Sequence, residues 1–162
     1  MRHNFKKKNM KNFKTIIACL AIATVTFSGC KKDKDDSNTD KLTDKNWKVT
    51  ALTVDPPLNV GGTLVSNVYS QIPACNQNDL TIFKDNGSVT FDEGVTKCDP
   101  ADPQSTQGTW TWNTNETILS ITNDGDTDSY NVSSLSNDAM VASYTDNSFG
   151  IVETYTVTYT KQ

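Results

Sequence analysis

The residues able to do chemistry in this chain are few, and most of them are carboxylates. Among 162 residues there are 19 Asp and Glu against 15 Lys and Arg, one histidine, His3, and four cysteines, Cys19, Cys30, Cys75 and Cys98. Asp124-Gly-Asp126-Thr-Asp128 has the alternating acids of a calcium loop, since a hard cation wants several carboxylate oxygens on one tight turn. An EF-hand would need Gly at the sixth position and Glu at the twelfth, where Ser129 and Leu135 stand. The segment therefore reads as a solvated hairpin turn, and no metal ligands and no cofactor are assigned. Asp99-Pro-Ala-Asp102-Pro reads as a stiff acidic loop at a rim. Glu153 is of more interest, because it alternates with Tyr155, Val157 and Tyr159, and a carboxylate on an inward strand face must be paired or reach solvent. It could hold a polar head group. The aromatics Trp47, Trp110, Trp112, Tyr130, Tyr144, Tyr155 and Tyr159 could line a cavity or stack on sugar rings, with core packing as the default role for each. Trp110 and Trp112 share a face, and if that face is outward they form an apolar patch suited to a partner.

The charges are unevenly placed. Arg2, Lys6, Lys7, Lys8, Lys11 and Lys14 come before residue 30 with no acid among them, and every Asp and Glu follows it. The basic stretch leads into Thr15-Ile-Ile-Ala-Cys-Leu-Ala-Ile-Ala-Thr-Val-Thr-Phe27, too short to span a bilayer, and reads as a signal peptide over residues 1–29. Met10-Lys-Asn-Phe-Lys is also a conventional n-region, so Met1 and Met10 are both candidate starts. Removing residues 1–29 leaves 9 Lys against 19 acids, no Arg and no His. Nucleic acid is excluded as a partner, because counterion release needs clustered Lys and Arg. Ser-His-Asp and Cys-His nucleophile systems are excluded with it, and the chain reads as a non-enzyme.

Phe27-Ser-Gly-Cys30 resembles the lipobox of bacterial lipoproteins, with small residues before a cysteine that accepts the lipid, although Phe27 stands where Leu is commoner. The resemblance implies a membrane anchor at Cys30. Residues 30–41 then form a lipidated cysteine and a polar tether without the apolar side chains needed to fold. Its start, Cys-Lys-Lys-Asp-Lys-Asp-Asp, resembles the acidic surface-export tags of lipoproteins from Bacteroidota-type bacteria, which implies an outer-membrane protein, lipid-anchored and displayed at the cell surface or facing the periplasm.

The elements that position these residues are strands. From residue 46 the sequence alternates with period two, is rich in Thr, Val, Ile, Tyr and Trp, and is broken every eight to twelve residues by Asn, Asp and Gly. Nine strands are expected: 46–55, 63–70, 79–84, 88–93, 107–113, 117–122, 128–132, 139–145 and 151–160. Short links join them antiparallel as a meander, and the loops 56–62 and 99–106 carry prolines. A sheet of this size with one apolar and one Thr-rich face is best closed into a barrel, which removes its edges. The fold class is all-β, an up-and-down antiparallel meander closing into an eight- to nine-stranded barrel over residues 42–162.

A two-residue Asn86-Gly87 turn would pair residues whose numbers sum to 173, placing Ile82 opposite Phe91, Leu80 opposite Glu93, Thr81 opposite Asp92, and Cys75 opposite Cys98. In an oxidising compartment these two cysteines form a disulfide, and neither has a His or Arg nearby to make it a reactive thiol.

Leu42-Thr-Asp-Lys-Asn-Trp47-Lys-Val-Thr, Phe83-Lys-Asp-Asn-Gly87 and Gly108-Thr-Trp110-Thr-Trp112 together resemble the bacterial lipocalin-like lipoproteins. Lipocalins proper carry Gly-x-Trp on the first strand, where Lys45 takes the glycine's place, and cover that Trp with an Arg that is missing here, so Trp47 must be covered otherwise. The resemblance implies an up-and-down barrel able to hold a small apolar ligand. The leading reading of function is non-catalytic binding of a small hydrophobic molecule at the cell envelope, with Glu153, Tyr155, Tyr159, Trp110 and Trp112 as candidate ligand residues. The alternative is a cell-surface interaction module whose barrel is filled and whose loops contact protein or glycan.

Overall fold

The computed structural model of the chain describes residues 36–147 and 150–162. The expected signal peptide, the lipid-bearing Cys30 and the first part of the tether lie outside the described residues. The elements run α1 (Asn38–Leu42), β1 (Asn46–Val60), β2 (Thr63–Asn67), β3 (Leu80–Phe83), β4 (Ser88–Asp92), β5 (Ser105–Trp112), β6 (Ile118–Asn123), β7 (Asp126–Leu135), β8 (Ala139–Asp146) and β9 (Glu153–Lys161). Two 3₁₀ turns, Tyr69–Gln71 and Asn76–Asn78, lie between β2 and β3.

Neighbouring strands pair antiparallel from β3 through β9, and β1 closes the ring by pairing β3 through residues 46–48 and β9 through residues 47–55. Eight strands thus form the barrel. The ninth, β2, stays outside the round and pairs only the upper part of β1. Alternation decides which side chains enter: Glu153 and Val157 on β9 and Met140 and Ala142 on β8 are buried, while Thr154 is exposed. Ile151, at the start of the strand expected over 151–160 and two residues before Glu153, precedes the observed strand and is 60% exposed.

One end of the barrel is solid. Leu42, Trp47, Phe83, Val89, Trp110, Leu119 and Met140 form a single buried cluster, each worth about 1.5–3 kcal/mol of burial. Helix α1 supplies the plug. Five residues cannot hold a helix alone, so its contacts do: Ser37 Oγ accepts from the Asp40 amide at 3.1 Å while the Asp40 carboxylate accepts from the Ser37 amide at 3.1 Å, a reciprocal cap. Lys45 Nζ donates to the Asp40 and Lys41 carbonyls at the other end. Residues 38–41, read as tether because they carry no large apolar side chain before Leu42, are therefore ordered by capping and by the burial of Leu42. The same helix answers what covers Trp47, whose indole N–H donates to the Leu42 carbonyl at 2.7 Å.

Two further sequence expectations are corrected. The β3–β4 hairpin pairs Leu80 with Asp92, Thr81 with Phe91 and Phe83 with Val89, one residue away from the expected register. The turn has three residues: the Gly87 amide donates to the Lys84 carbonyl, the Lys84 amide to the Ser88 carbonyl, and Gly87 adopts φ 83°. This is a turn followed by a left-handed glycine bulge, which consumes one residue more than a two-residue turn. Residues 56–60, expected as loop, continue β1: Pro56 and Pro57 fall between Asp55, the last residue paired with β9, and Leu58, where regular pairing with β2 resumes, so their missing N–H groups interrupt neither ladder.

The Cys75–Cys98 disulfide is present, with Cα atoms 5.2 Å apart, but it does not belong to the hairpin ladder. The ladder stops at Leu80 and Asp92. Beyond it the Asn76–Asn78 turn resets the chain, and the Asn78 side chain holds the opposite loop by accepting from the Thr96 amide and donating to the Thr96 carbonyl, both at 2.9 Å.

Candidate functional site

At the opposite end the strands rise past the core and leave space. A cavity of about 380 Å³ is walled by Phe91, Ile121, Tyr130 and Tyr159, with Asp124, Asp126 and Asp128 on its rim. Beside it a cavity of about 470 Å³ lies between Val49 of β1, Thr81 of β3 and the covering segment with Val68, Tyr69, Ile72 and Pro73, and includes Asp79. A third, about 300 Å³, opens where β7 and β8 part. Their ladder ends at Asn131 and Ser143, and above it Asp128, Tyr130, Tyr144 and Thr145 line a slit in the wall. A fourth, about 370 Å³, lies between Glu153 and Leu58, Asn59 and Val60 of the β1–β2 hairpin.

Aromatic side chains connect these spaces. Tyr130 meets Tyr144 edge-on at 5.6 Å, and Tyr144 stacks on Tyr155 at 5.0 Å with their planes 6° apart. The Tyr155 hydroxyl donates to Glu153 Oε2 at 2.9 Å. Burial pushes the Tyr155 phenol up to about 12, with the hydrogen bond to Glu153 adding to it, and burial likewise pushes Tyr130 up to about 12. Tyr159 is raised further by its burial, so all three stay protonated and serve as donors or as ring surface. Asp79 is raised to about 6, first by burial and then by Glu93 and Asp92, and its Oδ1 is buried without a hydrogen-bond partner.

The candidate ligand residues divide. Glu153, at 7% exposure, meets Tyr155 on the inward face of β9 at the open end, and Tyr159, farther down the same face, lines the first cavity and packs against the core cluster. Trp110 and Trp112 face inward as well, but toward the closed end: Trp110 packs edge-on against Phe83 at 5.8 Å and donates its indole N–H to the Lys84 carbonyl, Trp112 packs against the same cluster, and neither lines any of the four cavities. Asp124, Asp126 and Asp128 are exposed on the β6–β7 turn, and among the described residues no three His, Cys, Asp or Glu side chains converge as metal ligands. Asp79 was not singled out from sequence. The observed hairpin register would have pointed to it, since a pairing sum of 172 sets Asp79 opposite Glu93, a like-charge contact that the sum of 173 conceals.

A sequence model described as a lipocalin-like domain matches residues 42–142, more than half of the chain. The chain belongs to the lipocalin-like domain family. The match starts at Leu42, the last residue of α1 and the one it buries in the core. Solved structures similar to the chain include bovine odorant-binding protein in complex with a selenium-containing odorant, at 14% identity over 82% of this chain and 77% of that one with a TM-score of 0.43. A deswapped triple mutant of bovine odorant-binding protein is similar at 15% identity over 75% of this chain and 74% of that one, with a TM-score of 0.41. No curated protein matches the sequence.

Proposed function

We propose that this lipocalin-like domain binds a small hydrophobic molecule without transforming it, and that a lipid on Cys30 holds it at the outer membrane. The observation that carries the binding reading is the unequal filling of the barrel: side chains pack one half solid, while the other keeps a cavity of about 380 Å³ walled by Phe91, Ile121, Tyr130 and Tyr159, a volume in the range of small-molecule sites. The reading without catalysis rests on the inventory, because the chain after residue 29 has no His or Arg, and the Tyr155 phenol on Glu153, pushed up to about 12, stays protonated as a donor. The anchor rests on the lipobox-like Phe27-Ser-Gly-Cys30.

Organic-solvent extraction of the protein purified from its membrane, with mass spectrometry of the extract, should yield a small apolar compound in near-stoichiometric amount, and the same compound should raise the melting temperature with the logarithm of its concentration. An extract empty across native and recombinant preparations, with no shift, rejects the reading. Mass spectrometry of the N-terminal peptide should find Cys30 acylated, and Cys30→Ala should leave the protein released or unprocessed.

The second reading, a cell-surface module contacting protein or glycan, is favoured by one feature. The β1–β2 hairpin runs past the last β1–β9 pair at Asp55 and exposes Val60 and Leu64 by 56% and 71%. Leu64→Ser, at an exposed position that lines none of the four cavities, should leave small-molecule binding intact under the first reading and abolish surface capture under the second.

A further inference from the structure

The cavities at the open end of the barrel are lined by acids. Each of the four cavities presents at least one carboxylate, and none is lined by a lysine. Of the six lysines among the described residues, five (Lys41, Lys45, Lys48, Lys84 and Lys161) lie toward the plugged end. The sixth, Lys97, spends its ammonium group on the Pro100 and Asp102 carbonyls of its own loop. Exposed acids alone would say little, because water solvates them. Glu153 is not exposed. It is more than nine-tenths buried, points into the barrel, and its one hydrogen-bond partner among the described residues is a neutral phenol. Neither of the two ion pairs among the described residues involves it.

A carboxylate removed from water without a counter-charge is costly and persists where something else is gained. Its surroundings say what that is. On one side, Leu58 and Val60 offer aliphatic contact. On the other, Tyr155 and Tyr144 stack, and Tyr144 leads edge-on to Tyr130 and the slit at Asp128, so phenol rings run between two carboxylates. Ring faces attract cations, and a carboxylate accepts charge-assisted hydrogen bonds from an ammonium group. A divalent metal would need more oxygen ligands than Glu153 supplies, and no such cluster exists among the described residues. An anionic amphiphile would bring its charge into a mouth of like sign.

We propose that the ligand of this barrel carries a positively charged amine, that Glu153 receives the ammonium group beside the Tyr144–Tyr155 stack, and that fatty acids and other anions are rejected. The inference rests on the binding reading above and narrows it to a chemical class. The probes are octylamine, octanol and octanoate, which share one tail and differ in head-group charge. They are titrated by calorimetry into the full chain in nanodiscs of neutral lipid, with empty discs as the blank. Octylamine should bind at least about tenfold more tightly than octanol and octanoate most weakly, with the amine's advantage shrinking as salt rises. Glu153→Gln should erase that advantage and leave octanol affinity unchanged. Octanol binding with no preference for the amine, or a preference that survives in Glu153→Gln, overturns this proposal and leaves the binding reading standing. No binding of any of the three overturns both. If Glu153→Gln fails to fold, Tyr155→Phe, which removes the hydroxyl partner of Glu153 and keeps the ring, gives the second reading: the amine preference should change while octanol affinity holds, and an unchanged preference counts against the proposal.

Discussion

At the plugged end of the barrel Trp47, Phe83, Leu119 and Met140 are at most 1% exposed, and the nearby charges are offset: Lys84 meets Asp44 at 2.9 Å and Lys161 meets Asp138 at 2.8 Å. At the open end the same strands carry a buried carboxylate with no cation paired to it among the described residues, a second carboxyl with an unpartnered oxygen, and a ladder that parts between β7 and β8. The buried acids lie where the cavities are. A small barrel can carry such a mouth because its other half supplies the burial, a division of labour common where a binding site is built into a marginal fold.

The comparison is broken most directly by truncating one large side chain at each end. Trp47→Ala removes a fully buried indole together with its hydrogen bond to Leu42, and should cost about 3–5 kcal/mol in urea unfolding. Tyr144→Ala at the mouth loses a half-buried ring and its stack on Tyr155, and should cost about 1–2 kcal/mol. Equal costs would mean that the open end is as well packed as the plugged one.

The staple comes next. Cys75–Cys98 closes a loop of sequence separation 23 around the hairpin whose outer flanks cover the mouth, and reducing it should cost about 3 kcal/mol in the chain-entropy model. Peptide mapping without reduction should find the two cysteines joined, and alkylation of both without reductant would remove the bridge from the structure. The covering segment should then gain mobility first, seen as faster amide exchange in residues 67–79 than in α1.

Much of this was legible in the sequence, and the failures share a cause. Alternation placed Glu153, Val157 and Tyr159 together because a strand's period is fixed by its backbone. Register is not so fixed: one bulge residue at Gly87 moved every pair of the β3–β4 hairpin, and the disulfide occurs only because the chain leaves that ladder before Cys75. The plug was missed because Asn38–Lys41 is polar throughout, and only the spacing of Ser37 and Asp40 marked a cap. Which end each inward aromatic would face was also outside the pattern's reach. Trp110 and Tyr155 both point inward, and the plugging helix makes one of them core while the opening makes the other a wall.

A smaller effect sharpens the packing side of the comparison. Gly108 on β5 sits where a Cβ would lie 2.5 Å from the Thr122 carbonyl oxygen and 3.2 Å from Val89. Gly108→Ala should therefore push β5 and β6 apart beside the core and cost about 1–3 kcal/mol, measured by chemical unfolding. A neutral result would show that the wall yields here, against the solid packing described for the plugged half.

The smallest effect tests the other half through pH. Asp79 is raised from 3.8 to about 6 by burial, Glu93 and Asp92, so the folded chain holds this proton more tightly than the unfolded one. A raised carboxyl contributes its full stability below its unfolded value near 4 and loses it as pH rises through the folded value near 6. Acidifying from pH 7 to pH 5 should therefore raise the melting temperature through this group. Asp138 works in the opposite sense, since its hydrogen bond to Lys161 lowers it, but its contribution is lost only as pH falls below about 4, outside that window. Asp79→Asn keeps the shape and removes the charge, so it should raise the melting temperature at pH 7 more than at pH 5 and flatten the response between them. An equal response in wild type and Asp79→Asn would place the unpartnered Asp79 oxygen in contact with water, and the open end would then tolerate its acids by solvation instead of by drawing on the core beneath it.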